Sequence, residues 1–200
     1  MKGYTLTGVV VTAFALSLGM AFLGVQPKAV AAAQPDDNES RIQAGFNYAR
    51  SQGITLDLRK KNRALVGLGS YLVNAVGGCN DCHTAPPFTL DPFAYLGAPK
   101  QVNVACYLAG GTPFGPPGPG TPVSRDITPW EDGKPAGLTL DEFVHVIRTG
   151  EDPDNPGQVL QVMPWPVYQA MTDRDLRAIY EYLSSIPAID ANICGVPSEP

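Results

Sequence analysis

Apolar side chains recur at helical spacing in four stretches of this chain. Strict alternation is nowhere sustained long enough to build a sheet, so the pattern predicts an all-α protein. In "RIQAGFNYARSQGI", residues 41–54, Ile42, Phe46 and Ala49 share one face of a short helix, which either covers the core or docks a partner. In "ALVGLGSYLVNAVG", residues 64–77, the stripe is Leu65, Leu68, Leu72 and then Ala75 or Val76. Gly67 and Gly69 lie inside that helix, where each costs about 1 kcal/mol against alanine, so they predict a second backbone packed very close. The last helix of the chain is the expected crossing partner.

Two later helices carry their own start and stop signals. In "GLTLDEFVHVIRTG", Thr139 and Glu142 form a capping box, Leu138 and Phe143 can staple across it, and Gly150 ends the element, which predicts a helix over 140–149 with Leu140, Phe143, Val144 and Ile147 inward. In "AMTDRDLRAIYEYLSSIP", Thr172 is the cap and Asp175 the third helical residue; Leu176, Ile179, Tyr180 and Leu183 form the stripe, and Pro187 lies beyond the end. Between the second and third helices, "TPFGPPGPGTP" at 112–122 has eight Pro or Gly in eleven residues and reads as a surface loop, ordered or flexible. The basic run "LRKKNR" at 58–63 reads as the solvated approach to a helix, with a docking patch as the alternative.

Composition adds long loops and an export route. The chain has 200 residues, the size of one domain, with 21 glycines and 20 prolines. A formal net charge of −5 gives no basic footprint for nucleic acid, which is excluded as a partner. Residues 1–33 open with Lys2, run apolar from 8 to 25 and end in small residues at Ala29, Ala31 and Ala33, the order of a secretory signal. The apolar run is also just long enough to be an uncleaved anchor, which would keep the protein at the membrane facing the periplasm. Removing 1–33 takes away Lys2 and Lys28 and no acid, leaving −7. The expected protein is acidic, exported and periplasmic.

Chemistry concentrates in "VGGCNDCHTAPPF", residues 76–88, where Cys79, Cys82 and His83 fall within five positions. A thioredoxin-like redox pair would need a βαβ setting, and a structural zinc site would need a second closely spaced pair, whereas Cys106 and Cys194 are single residues far apart. C-x-x-C-H in an exported chain points instead to one covalent haem c: two thioethers on neighbouring vinyl groups, and the next imidazole on iron. For the other face of the iron the candidates are His145, Met163, Met171 or none. His145 lies off the apolar stripe and should face water; Met171 precedes the cap Thr172, in the position of a staple to Leu176. Met163, in "VMPWPVY", is a flexible thioether in a backbone stiffened by Pro164 and Pro166, which follow it, with Trp165 able to cover the ring and core filling as its alternative role.

"GSYLVNAVGGCNDCHT", followed by "LTLDEFVHVIRTG" and "MPWPVYQAMTDRDLRAIYEYLSSIP", resembles the class I monohaem cytochrome c domains of bacterial periplasms. The resemblance covers roughly 64–187. It leaves 34–63 as an N-terminal extension with a short helix and 188–200 as a tail. It implies an all-α, cytochrome c-like fold in which the helix before the motif crosses a C-terminal helix, with His83 and Met163 as axial ligands. By the same resemblance "SRDITPWEDG" lies near the haem edge, with Arg125, Thr128 and Trp130 as candidate propionate partners and exposed loop positions as the alternative. The free nitrogen of His83 needs a fixed acceptor, and the carbonyls of 85–87 are the nearest in sequence.

The expected function is one-electron carriage from an exported dehydrogenase to an oxidase or another cytochrome, not catalysis. The rivals are a gas- or redox-sensing haem domain, a haem peroxidase and a haem subunit of an oxidoreductase. With Cys79 and Cys82 used by haem, Cys106 and Cys194 have one intramolecular pairing left, so a disulfide is expected; the alternative is two free thiols.

Overall fold

The structure, a computed structural model, describes residues 37–89, 94–116, 118–190 and 194. The signal or anchor expected over 1–33, and most of the tail expected over 188–200, lie outside the described residues. Among the described residues the chain is all-α: extended segments meet only in isolated bridges, and no helix is long and apolar enough to cross a membrane.

The first helix, α1 (Asp37–Gln52), is longer than its apolar stripe suggests. Asp37 and Glu39 in its first turn and Arg50 in its last both complement the helix dipole. It buries Ile42, Gly45, Phe46 and Ala49 against α2 (Arg63–Tyr71), whose cap Asn62 accepts the Leu65 N–H at 3.2 Å. Three cations of the basic run at 58–63 have partners within the fold: Arg59 pairs with Asp57 at 2.8 Å, Lys61 donates to Ser184 Oγ at 3.0 Å, and the Arg63 guanidinium stacks 4.5 Å from the Phe46 ring.

Close backbone approach at the two α2 glycines is confirmed, but the last helix takes only one of them. A β-carbon on Gly69 would meet the Ala178 carbonyl and lie 2.6 Å from Tyr182 Cβ, both on α6 (Asp173–Leu183). A β-carbon on Gly67 would instead lie 2.6 Å from Phe46 Cε2 and 2.7 Å from Ile42 Cγ2, on α1. Residues two apart on a helix point about 200° away from each other, so a single neighbour cannot use both. α2 is therefore gripped from two sides, by α1 and α6.

The expected single helix through 77 also changes character. Leu72–Val76 is a π-helix, closed by Gly77 N–H donating to the Leu72 carbonyl at 2.7 Å. Its buried Asn74 donates to the Ser70 carbonyl (2.9 Å) and to Tyr182 Oη (3.3 Å), and it accepts from Tyr107 Oη at 2.6 Å. The two phenol oxygens are themselves 2.8 Å apart. This closed polar cluster satisfies groups that would be expensive to bury alone. The π turn also shifts the angular position of everything that follows it, including the cysteine motif.

The later helices follow their predicted signals. α4 (Leu140–Thr149, given its number in chain order) has the Thr139–Glu142 capping box in both directions and ends on Gly150, whose φ of 70° suits glycine. On α6, Thr172 Oγ1 accepts the Asp175 N–H at 3.1 Å, and Leu176, Tyr182 and Leu183 are buried almost completely. Each such side chain contributes about 1.5–3 kcal/mol by leaving water. The Pro/Gly-rich stretch is an exposed loop drawn closed by Phe114 N–H to the Pro122 carbonyl (2.9 Å) and Ser124 N–H to the Thr112 carbonyl (2.9 Å).

Cys106 and Cys194 form the expected disulfide, with Cα atoms 5.5 Å apart and a sequence separation of 88. With Ala109 they form a small buried cluster against Ile189. Replacing both cysteines with alanine should lower stability by up to about 4 kcal/mol, because the unfolded chain is freed from a long closed loop. Chemical denaturation reads this directly, and an unchanged midpoint would refute it.

Candidate functional site

The motif is a single turn, α3 (Cys79–His83), which follows the π-helix through Gly77 and Gly78. Gly78 occupies the N-cap at φ 61°, a left-handed conformation that costs glycine nothing. At i and i+3, Cys79 and Cys82 lie on one side of this turn, and both are free and half-buried. Burial, with lesser contributions from Cys82 and Asp81, pushes the Cys79 thiol up to about 12. Burial and then Asp81 raise Cys82. Both thiols stay protonated at neutral pH, unlike the low-pKa thiolates of disulfide exchange. The other two cysteines are joined to each other, so a four-thiol zinc site is excluded.

His83 is fixed at both its backbone and its ring. Its carbonyl accepts the Gly110 N–H at 2.7 Å, and its Nδ1 donates to the Arg125 carbonyl at 2.8 Å. The acceptor is thus Arg125, 42 residues away, and not a carbonyl of 85–87. Two of those near carbonyls are already used: Pro87 O accepts from Asn80 Nδ2 (3.2 Å), and Pro86 O accepts from Asn103 Nδ2 (3.2 Å). Burial lowers the pKa of the imidazole, opposed by the bond to Arg125, so the ring is neutral. Nδ1–H is held, and Nε2 keeps its lone pair without a protein partner among the described residues. Inside the turn, buried Asn80 accepts from Thr84 Oγ1 at 2.9 Å, and Thr84 Oγ1 accepts the Leu108 N–H at 2.9 Å.

Arg125 contributes more than its carbonyl. Its guanidinium pairs with Asp154, donates to the Ala136 carbonyl at 3.3 Å and lies 5.6 Å from the Trp130 ring. Its Nε is buried with no hydrogen-bond partner, which is costly for a cation donor. Thr128, by contrast, is fully buried and its hydroxyl accepts the Ile189 N–H at 3.4 Å, so its role is structural. Trp130 is partly exposed and packs on Gly137.

Of the three candidates for a second axial ligand, His145 is set apart from the two methionines. The His145 side chain is 56% exposed and its Nε2 pairs with Glu151 at 2.7 Å, in line with the water-facing position expected. Met171 is half-buried on the core just before the α6 cap. Met163 is half-buried and also packs on the core, directly before α5 (Trp165–Tyr168). Sequence reasoning missed Tyr168, at the end of α5. Its hydroxyl donates to the Gly77 carbonyl at 2.7 Å, bridging 91 residues to the entrance of the motif. Burial, then Cys79 and Cys82, push its phenol up to about 12, so it remains a donor. Nothing in the local pattern signals this contact or the Arg125 carbonyl, because both depend on how distant segments meet.

Two protonated thiols one turn apart, beside a neutral imidazole with one nitrogen fixed and the other available, can hold a planar metal chelate by two thioethers and one metal bond. Arg125, whose carbonyl holds the imidazole, has in its unpartnered Nε a donor for an anionic group. The residues present therefore fit a covalent haem.

No family model and no solved structure matches the chain. Curated proteins do. It is 32% identical over 121 residues to the gluconate 2-dehydrogenase cytochrome c subunit of Pantoea cypripedii, covering 60% of this chain and 23% of that protein. It is 32% identical over 130 residues to the cytochrome c subunit of the alcohol dehydrogenase (quinone) of Gluconobacter oxydans (strain 621H), covering 62% and 24%. With the fructose dehydrogenase cytochrome subunit of Gluconobacter japonicus it shares 29% identity over 151 residues, covering 75% and 27%. The chain spans about a quarter of the length of these relatives. Proteins similar to this chain are thus named as cytochrome subunits of dehydrogenases.

Proposed function

We propose that Cys79 and Cys82 hold one covalent haem c, that His83 and Met163 ligate its iron, and that the protein carries single electrons in the periplasm from an exported dehydrogenase to an oxidase or another cytochrome. The observation that carries this reading is the fixed, neutral His83 ring beside two free thiols on one helical turn. Haem with both axial positions filled by protein supplies one-electron exchange between ferric and ferrous iron. The chain's own residues set the conditions for it. The Arg125 carbonyl orients the imidazole, and the Arg125 side chain offers a donor to a propionate. The packing of α1 into the same core as α2 and α6 supports reading the expected extension and cytochrome domain as one folding unit.

The surface around the motif carries apolar side chains. Val76, three residues before Cys79, is 55% exposed, and Val167, next to Tyr168, is 70% exposed. The Tyr95 hydroxyl reaches Asp81 inside the motif, which brings exposed Tyr95 and Leu96 to the same neighbourhood. Apolar side chains grouped around the motif suit contact with a haem held there and, where it leaves them uncovered, with a redox partner. The names of the relatives favour a dehydrogenase as donor, and they fit equally well a chain that works as the cytochrome subunit of such an assembly.

The test separates carriage from gas sensing. Carbon monoxide added to the reduced protein should leave its visible spectrum unchanged over seconds, while a purified periplasmic dehydrogenase with its substrate should reduce the oxidised protein within the same interval. A rapid carbon monoxide spectrum together with no reduction would replace electron carriage with sensing.

A further inference from the structure

We infer that Tyr168 is a positioning residue for the second axial ligand, its hydroxyl strapping the Met163 segment to the turn that enters the cysteine motif. This rests on the haem reading above. Met163 has no long helix to hold it: α5, which follows, has four residues, too few to be stable through its own hydrogen bonds. The segment must be held from outside. One attachment is Trp165, whose ring covers Gly150 at the end of α4 and whose Nε1 donates to the Leu160 carbonyl at 3.3 Å. A second is Arg148 of α4, which donates to the Gln169 carbonyl and pairs with Asp173 at 2.8 Å.

Both of those attachments tie the segment to α4 and to the start of α6. Among the described hydrogen bonds of residues 160–170, the one that crosses to the motif-bearing side is Tyr168 Oη to the Gly77 carbonyl. Gly77 stands two residues before Cys79, and Tyr168 five residues after Met163. One hydroxyl therefore couples the segment carrying one proposed ligand to the turn carrying the other. For an external ligand to displace the Met163 sulfur, the segment must swing away from the motif, and the strap adds one half-buried hydrogen bond to what must be broken.

The experiment compares wild type, Tyr168→Phe and Tyr180→Phe, each as the full haem-loaded protein titrated with imidazole in the oxidised state. Tyr180→Phe is the control. It also deletes one part-buried hydroxyl bound to a carbonyl, that of Leu138 at 3.0 Å, away from the motif. Tyr168→Phe should keep its covalent haem and its red sulfur-to-iron band, yet bind imidazole about tenfold more tightly than wild type, the effect of one such hydrogen bond. Tyr180→Phe should match wild type. Equal imidazole affinity in Tyr168→Phe and wild type would overturn the inference, and so would an equal gain in both variants, which would mean general loosening. Failure of the haem reading would look different: wild type itself would lack covalent haem or the red band before any variant was made.

Discussion

Protein in which Cys79 and Cys82 are both replaced by alanine will run on a denaturing gel without haem absorbance, where wild type keeps it. The expected loss is complete, because the two thiols supply both covalent links and the remaining cysteines are joined to each other 88 residues apart in sequence. His83 alone would leave a bond to iron that denaturation breaks. The geometry gives the experiment a useful intermediate. Cys79 packs against the hydrophobic core, and burial raises both thiols. Each single substitution should retain one link and a reduced yield. Retention of covalent haem in the double variant would end the assignment of the motif.

Met163→Ala will abolish the red charge-transfer band of the oxidised protein, and Met171→Ala and His145→Ala will keep it. The same substitution will lower the reduction potential, since a thioether stabilises ferrous iron relative to a water or nitrogen ligand. It will also open the reduced iron to carbon monoxide. Each comparison variant has a separate structural role that predicts its own phenotype. His145 would lose only an exposed pair with Glu151, worth little to stability, whereas Met171 would lose core contact before the α6 cap and so lower the melting temperature without changing the spectrum. An unaltered band in Met163→Ala would move the second ligand to another residue.

The elements that could be read from the sequence are those whose determinants are local. Thr139, Glu142 and Gly150 delimit α4 within one stretch, and Thr172 with Asp175 starts α6 in the same way. The all-α class follows from the spacing of apolar residues, and the Cys106–Cys194 bond from elimination among four thiols. Readings that depended on where distant segments meet were less complete. Gly67 and Gly69 announced a close neighbour without revealing that they face different helices. The π turn at Leu72–Val76 is stabilised by the phenols of Tyr107 and Tyr182, which no periodicity in 64–77 encodes. The same holds at the site. The turn of Cys79, Cys82 and His83 is local and legible, but the acceptor for His83 is a backbone carbonyl, and every residue type carries one.

The topology of the disulfide also bears on how the protein matures. The ring closed by Cys106 and Cys194 encloses Arg125, Met163 and α4 through α6, whereas Cys79, Cys82 and His83 all lie on the open N-terminal arm outside it. The proposed thioethers and the disulfide therefore draw on separate stretches of the chain, and neither linkage uses a residue that the other encloses.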